Sequence, residues 1–194
     1  MFDVQKLKQL REETGTPVSD CQEALEKSND DIEKAKEILR EKGKEVAEGK
    51  SQRDIKAGLV EAYIHQEGKV GVLLKICCES DFVAKSEDFK SLAHEICLQI
   101  AAMKPLFVSE EDIPEAVLEK EESIYKKQME GSDKPDNVIG QIIEGKLEKY
   151  KNRVCLLNQN WVKDDKKTIK DLISEYNLKL RERIEIDQFV RLEV

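Results

Sequence analysis

Cysteine and histidine are the side chains that most readily do chemistry near neutral pH, and this chain of 194 residues has five of the first and two of the second. Cys21, Cys77, Cys78, Cys97 and Cys155 include no C-x-x-C pair, and neither His65 nor His94 has a partner at ligand spacing, so no zinc site is indicated. The odd count argues against a disulfide framework, and buried, reduced thiols of an intracellular protein account for it. Cys77 and Cys78 are neighbours, and on a strand neighbouring side chains face opposite ways, so the two cannot chelate one ion together. Each histidine reads as structural or superficial rather than as a ligand or base. No GxxxxGK, GxGxxG or GxSxG segment occurs, so phosphate-loop and serine-nucleophile chemistry both lack their parts. The chain is therefore expected to be no enzyme, to hold no metal or cofactor and to bind no nucleotide by itself.

The informative stretch is Cys77-Cys78-Glu79-Ser80-Asp81-Phe82-Val83-Ala84-Lys85, where an apolar run ends and a helical stripe begins. Aromatics make up only 5% of the chain, so a Phe at a strand-to-helix junction stands out. Two readings compete. Phe82 plugs the junction from inside, as large apolar side chains usually do, or a rigid scaffold presents it to a partner.

Charge narrows the partner. Charged residues are 38% of the chain and the net charge is -8, against a general nucleic-acid binder, which needs clustered Lys and Arg. Twelve acidic residues face four basic ones between Glu79 and Glu122, so that region alone carries the whole imbalance. It is a solvated face, or it steers the molecule toward a basic partner surface. No apolar run approaches the roughly 20 residues of a membrane span, and Met1-Phe2-Asp3 has no signal-peptide pattern. A soluble, cytoplasmic protein is expected.

The elements that must position Phe82 follow from periodicity. Val4, Leu7 and Leu10 form one helical face, and Gly15 and Pro17 stop that helix. Ser19 with Gln22, and Asp30 with Glu33, have capping-box spacing and open two more helices, carrying Cys21, Ala24 and Leu25, then Ile32, Ala35, Ile38 and Leu39, with Gly43 closing the third. A bundle of residues 1–43 is too small to be strongly stable alone and reads as a recognition module tethered to the core. Residues 44–57 read as a linker, in part helical.

From Gly58 the period falls to 2. Residues 59–64 and 70–76 form a hairpin around Gln66-Glu67-Gly68-Lys69, and the apolar second strand is expected to be central and covered on both faces. Ser86 caps a helix whose stripe is Phe89, Leu92, Ala93, Ile96, Cys97, Ile100 and Ala101. Leu106-Phe107-Val108 reads as an edge strand. Helices are expected from Pro114 to Glu130, from Asp136 to Lys151 and from Thr168 to Tyr176, and a final strand holds Ile184, Ile186, Phe189, Val190, Leu192 and Val194. The fold class is α+β, with an antiparallel sheet packed against helices over residues 58–194.

Ser80-Asp81-Phe82-Val83-Ala84-Lys85 resembles the Thr-Asp-Phe-Val-Ala-Lys signature of the bacterial elongation factor Ts family. Leu10-Arg11-Glu12, Thr14-Gly15, Asp20-Cys21, Ala24-Leu25 and Asn29-Asp30 resemble its ubiquitin-associated-like bundle. Ile100 to Pro105, Glu144-Gly145-Lys146-Leu147, Val154 to Leu157 and Arg191 to Val194 extend the similarity. Ser80 stands where the family usually has Thr, and Pro17-Val18-Ser19 where many members have Gly and two Met. Longer members duplicate the core and insert a coiled coil, whereas this chain has one copy.

The resemblance implies a guanine nucleotide exchange factor of protein biosynthesis that binds elongation factor Tu with GDP, displaces its magnesium and opens its nucleotide site. Ser80, Asp81, Phe82 and Val83 would enter the partner, and Lys8, Arg11 and Val18 of the bundle would dock on the same domain. Similarity to short members further implies a homodimer engaging two partner molecules in a 2:2 complex. The competing class is an adapter whose bundle binds ubiquitin-like folds or another helical partner.

Overall fold

Residues 3–49, 54–132 and 134–194 are described by a computed structural model. The first helix, α1 (Val4–Thr14), starts where the Asp3 carboxylate accepts the Gln5 N–H at 2.8 Å and ends at Gly15, whose φ of 65° only glycine adopts freely. In α2 (Val18–Lys27), Cys21, Ala24 and Leu25 point inward as expected. Its expected capping box is absent: Pro17 has its φ preset near helical values and starts the helix, leaving Ser19 inside the first turn. The second expected box shifts by one residue. Asp31 accepts the Lys34 N–H at 3.2 Å, while Asp30 sits in the left-handed region with φ 60°.

The third helix, α3 (Ile32–Gly49), runs straight through Gly43, the residue expected to close it. Gly43 serves close approach instead: a Cβ there would meet the Ser174 carbonyl oxygen at 2.1 Å. The helix lies against α8 (described below), whose Leu178 completes the bundle's core with Leu10, Leu25 and Leu39. Lys44 pairs with Asp171 at 3.3 Å and Arg40 approaches Glu175 at 3.4 Å across the same contact. The bundle is thus fused to the core rather than tethered, since it needs the core's apolar surface to bury its own. Of the linker expected over 44–57, the first six residues are helical and residues 50–53 lie outside the described ones.

Strand β1 (Ala57–Ile64) pairs antiparallel with β2 (Val70–Cys78) around a turn in which Glu67 and Gly68 both have positive φ. After β2 come a one-turn helix, α4 (Asp81–Ala84), and α5 (Glu87–Met103). Phe89, Leu92, Ala93, Ile96, Cys97 and Ile100 of α5 are fully buried, against Val72, Leu74 and Ile76 of β2. Each Å² of apolar surface buried in this contact stabilises the core by about 25 cal/mol. Strand β2 is central, as expected, between β1 and the last strand, but it is covered on one face only. Leu73 and Lys75 alternate outward because helices pack on a single side of the sheet.

A helical hairpin, α6 (Glu115–Met129) and α7 (Asp136–Val154), carries a small core of Ile113, Tyr150, Val154 and Cys155. The edge strand expected at Leu106–Val108 is only a bridge of Phe107 to Cys155. The N–H groups of Leu106 and Phe107 both donate to the Val154 carbonyl, so the segment is tied to the end of α7 instead of to the sheet. A small hairpin follows, β3 (Asn160–Trp161) and β4 (Asp164–Thr168), then α8 (Ile169–Leu180), opened by a capping box of Thr168 and Asp171. Finally β5 (Glu185–Glu193) pairs antiparallel with β2.

Candidate functional site

Phe82 sits on α4, whose mounting explains its direction. Ser80 caps the turn: its hydroxyl accepts the Val83 N–H at 3.3 Å, and its carbonyl accepts the Ala84 N–H at 3.1 Å. Val83 and Ala84 are 5% and 7% exposed, packed into the core beside the α5 stripe. On a single helical turn, sinking two successive residues turns the two before them outward. Asp81 is exposed accordingly, and the Phe82 side chain is 86% exposed. The ring does not plug the junction between strand and helix, whereas Phe89, seven residues later, is fully buried in the core. Val83, expected among the partner-contacting residues, faces the protein's own core, so its part in the site is to anchor the turn.

The turn is held from behind by residues just past α8, which no local pattern marks. The Glu182 carboxylate accepts the N–H groups of Glu79 and Ser80, both at 3.0 Å, and the Ser80 hydroxyl at 2.5 Å. In return the Glu79 carboxylate accepts the Arg183 N–H at 2.8 Å. The same few residues hold the bundle. Arg181 pairs with the buried Asp20 of α2, and Lys179 both packs against Gly15 and pairs with Asp88 in the first turn of α5 at 2.7 Å. Residues 179–183 therefore link the bundle to the turn that carries Phe82, beside the contact of α3 with α8. Lys8 and Arg11 lie exposed on α1, with Lys8 3.8 Å from Glu12, and Val18 is 42% exposed at the start of α2.

Burial holds the described thiols Cys78, Cys97 and Cys155 protonated. Burial pushes the Cys97 thiol up to about 12 and the Cys155 thiol up to about 11. The Cys78 thiol is likewise pushed up to about 11, first by burial and then by the nearby Glu182 charge. Protonated thiols are poor nucleophiles. His94 lies 3.4 Å from Glu61, and the Tyr63 hydroxyl is 2.8 Å from His65 Nδ1, just past the end of β1. Among the described residues no group of three His, Cys, Asp or Glu side chains is placed to hold a metal, and no helix is long and apolar enough to cross a membrane.

One further surface stands out. The uncovered side of the sheet presents Val60 and Ile64 of β1, Leu73 of β2, and Val190 and Leu192 of β5 to solvent. Their registers bring them together, with Leu73 opposite Ala62 on one side and Val190 on the other. A contiguous apolar face on an otherwise highly charged molecule marks an interaction site.

Comparison with known proteins gives consistent results. A family model described as "Elongation factor TS" matches residues 5–194. The elongation factor Ts of Thermotoga petrophila is 50% identical over 188 residues, covering 97% of this chain and 94% of its own length. That of Thermoanaerobacter pseudethanolicus is 49% identical over 193 residues, covering 100% and 95%. That of Coprothermobacter proteolyticus is 52% identical over 185 residues, covering 95% and 94%.

Proposed function

The chain belongs to the elongation factor Ts family, and from that premise we propose that Phe82 is the side chain with which it opens the nucleotide site of its partner. As a member of that family it is a translation elongation factor, the nucleotide exchange factor for elongation factor Tu. The match spans nearly the whole chain rather than the bundle alone, which disfavours the adapter reading.

The mechanism is linkage and needs no covalent step. A protein that binds the nucleotide-free partner better than the GDP-magnesium form weakens GDP by the same factor by which GDP weakens it. A phenyl ring that fills space occupied in the closed state by the partner's own side chains has this preference, and it displaces magnesium as the site opens. Asp81 enters beside it, Ser80 and Val83 hold the turn, and Lys8, Arg11 and Val18 dock the bundle on the same domain. About 4 kcal/mol of coupling changes GDP affinity roughly a thousandfold, and one aromatic hot spot supplies about 2 to 4 kcal/mol.

The observation that carries this reading is a Phe 86% exposed on a turn whose next two residues are buried. Release of fluorescent GDP from elongation factor Tu tests it. Phe82→Ala is expected to fold normally and to lose about 30-fold or more of the exchange rate; unchanged exchange by the folded variant returns Phe82 to a surface residue without a role.

The partner surface extends to a second copy of the chain. A sheet with helices on one side and Val60, Ile64, Leu73, Val190 and Leu192 bare on the other is half of a two-layer core, and a two-fold related copy covers it face to face. The homodimer then engages two partner molecules in a 2:2 complex in the cytoplasm. The net charge of -8 supports protein rather than nucleic acid as the partner.

A further inference from the structure

We propose that Glu182 is a positioning residue for nucleotide exchange: its carboxylate, delivered from the far end of the chain, sets the direction in which Phe82 is presented. The proposal rests on the reading of Phe82 given above. It starts from the weakness of α4, four residues long and thus without stability of its own. Its orientation is whatever its flanks impose. Burial of Val83 and Ala84 fixes the C-terminal side. On the N-terminal side, beside the Glu79 tie to the Arg183 N–H, three donors converge on one carboxylate: the N–H groups of Glu79 and Ser80 at 3.0 Å and the Ser80 hydroxyl at 2.5 Å.

The acceptor is itself immobilised on both sides. Arg181, one residue before it, adopts a left-handed backbone with φ 57° at the end of α8 and pairs with the buried Asp20. Ile184, two residues after it, is buried, and its N–H donates to the Asn177 side-chain oxygen at 2.9 Å. Three hydrogen bonds that converge on one fixed side chain restrict rotation of the turn, and they depend on the reach of that side chain. The Ser80 hydroxyl, oriented by donating to Glu182, also accepts the Val83 N–H that starts the helix. A wedge acts only if its ordering entropy is already spent before docking. Glu182 thereby acts on exchange without touching the partner's nucleotide.

The test uses the full chain with elongation factor Tu loaded with fluorescent GDP, and reads the maximal release rate and the half-saturating concentration separately. Glu182→Ala is expected to lower the maximal rate by about tenfold to a hundredfold, the upper figure being the scale of a misplacement near 1 Å, with less effect on half-saturation, since the docking surface of the bundle is untouched. Glu182→Gln keeps an oxygen for the two N–H groups and an amide donor for the Ser80 hydroxyl, and is expected to retain most of the rate. Glu182→Asp keeps the charge but falls short by one methylene, and is expected to resemble the Ala variant. The double variant Glu182→Ala, Phe82→Ala is expected to be no slower than Phe82→Ala alone, because a residue that acts only through Phe82 has nothing left to act on.

Three results overturn the proposal: full activity of Glu182→Ala beside an inactive Phe82→Ala, losses that multiply in the double variant, or an Asp variant as fast as wild type beside a slow Gln variant. Should Glu182→Ala not fold, the Gln and Asp pair decides the matter alone. A normal rate for Phe82→Ala is a different failure, that of the underlying reading.

Discussion

Glycine at position 43 decides whether the bundle and the core are one body, and replacing it with alanine sets two effects of opposite sign against each other. In an exposed helix interior, Gly→Ala stabilises by about 1 kcal/mol. At Gly43 the added Cβ would stand 2.1 Å from the Ser174 carbonyl oxygen and 2.8 Å from its carbon, against the 3.4 Å at which ordinary contact begins. Both obstacles are backbone of α8, so no side chain can swing away, and the helices must part by about 1 Å. A gap of that size forfeits a quarter to a half of the dispersion well for each atom pair it opens. Overpacking of this kind costs about 1–3 kcal/mol, and a backbone-to-backbone clash belongs at the upper end. The clash should therefore win by about 2 kcal/mol, lowering the melting temperature by about 4–8 °C for a chain of this size. Gly140→Ala is the control: Gly140 lies within α7 and a Cβ there meets nothing within 4 Å, so its melting temperature should rise by about 2–4 °C. Both variants should be melted at one fixed concentration by circular dichroism, because the proposed dimer would make melting concentration-dependent. If Gly43→Ala melts above the wild type, as Gly140→Ala should, the close-packed contact of α3 with α8 is refuted.

Three other expectations follow from the same geometry. Because burial holds the Cys97 proton until about pH 12 while a thiol in the unfolded chain ionises near its ordinary value of 9.0, this thiol's contribution to stability should be intact below about pH 9 and decline by about 4 kcal/mol as pH rises toward 12, with Cys78 and Cys155 adding to the loss; urea midpoints that stay flat across that range would contradict it. Ser80→Thr keeps the hydroxyl that caps α4 and bonds Glu182, so exchange should be nearly unchanged, whereas Ser80→Ala should cost about 1 kcal/mol of stability and slow exchange, both measurable on the same samples used for GDP release. Leu73→Lys places a charge at the middle of the bare sheet face, and sedimentation should show a folded monomer whose melting temperature no longer depends on concentration; an undiminished dimer would mean that another surface holds the copies together.

The helix after Phe82 was legible because its cause is local. Ser86 accepts the Phe89 N–H, and a regular stripe from Phe89 to Ile100 admits one buried face. The first hairpin and the last strand were legible for the same reason, through alternation and turn residues. Gly43 was not, since a glycine in a helical pattern either ends the helix or lets another backbone come close, and the choice depends on Ser174, more than a hundred residues away. The hairpin at Trp161 was missed because its second strand, Asp164 to Thr168, is charged and has no apolar alternation. Strand β2 reads as buried on both faces from its composition, yet only helix placement determines that one face stays bare.

The residue types of the site, the Phe and the serine that caps its turn, are written in the order of residues 80–85. That the ring points outward is not written there. It follows from where Val83 and Ala84 find room in the core and from a carboxylate brought to Ser80 by the end of α8, and burial and long-range hydrogen bonding exist only once the chain has closed on itself.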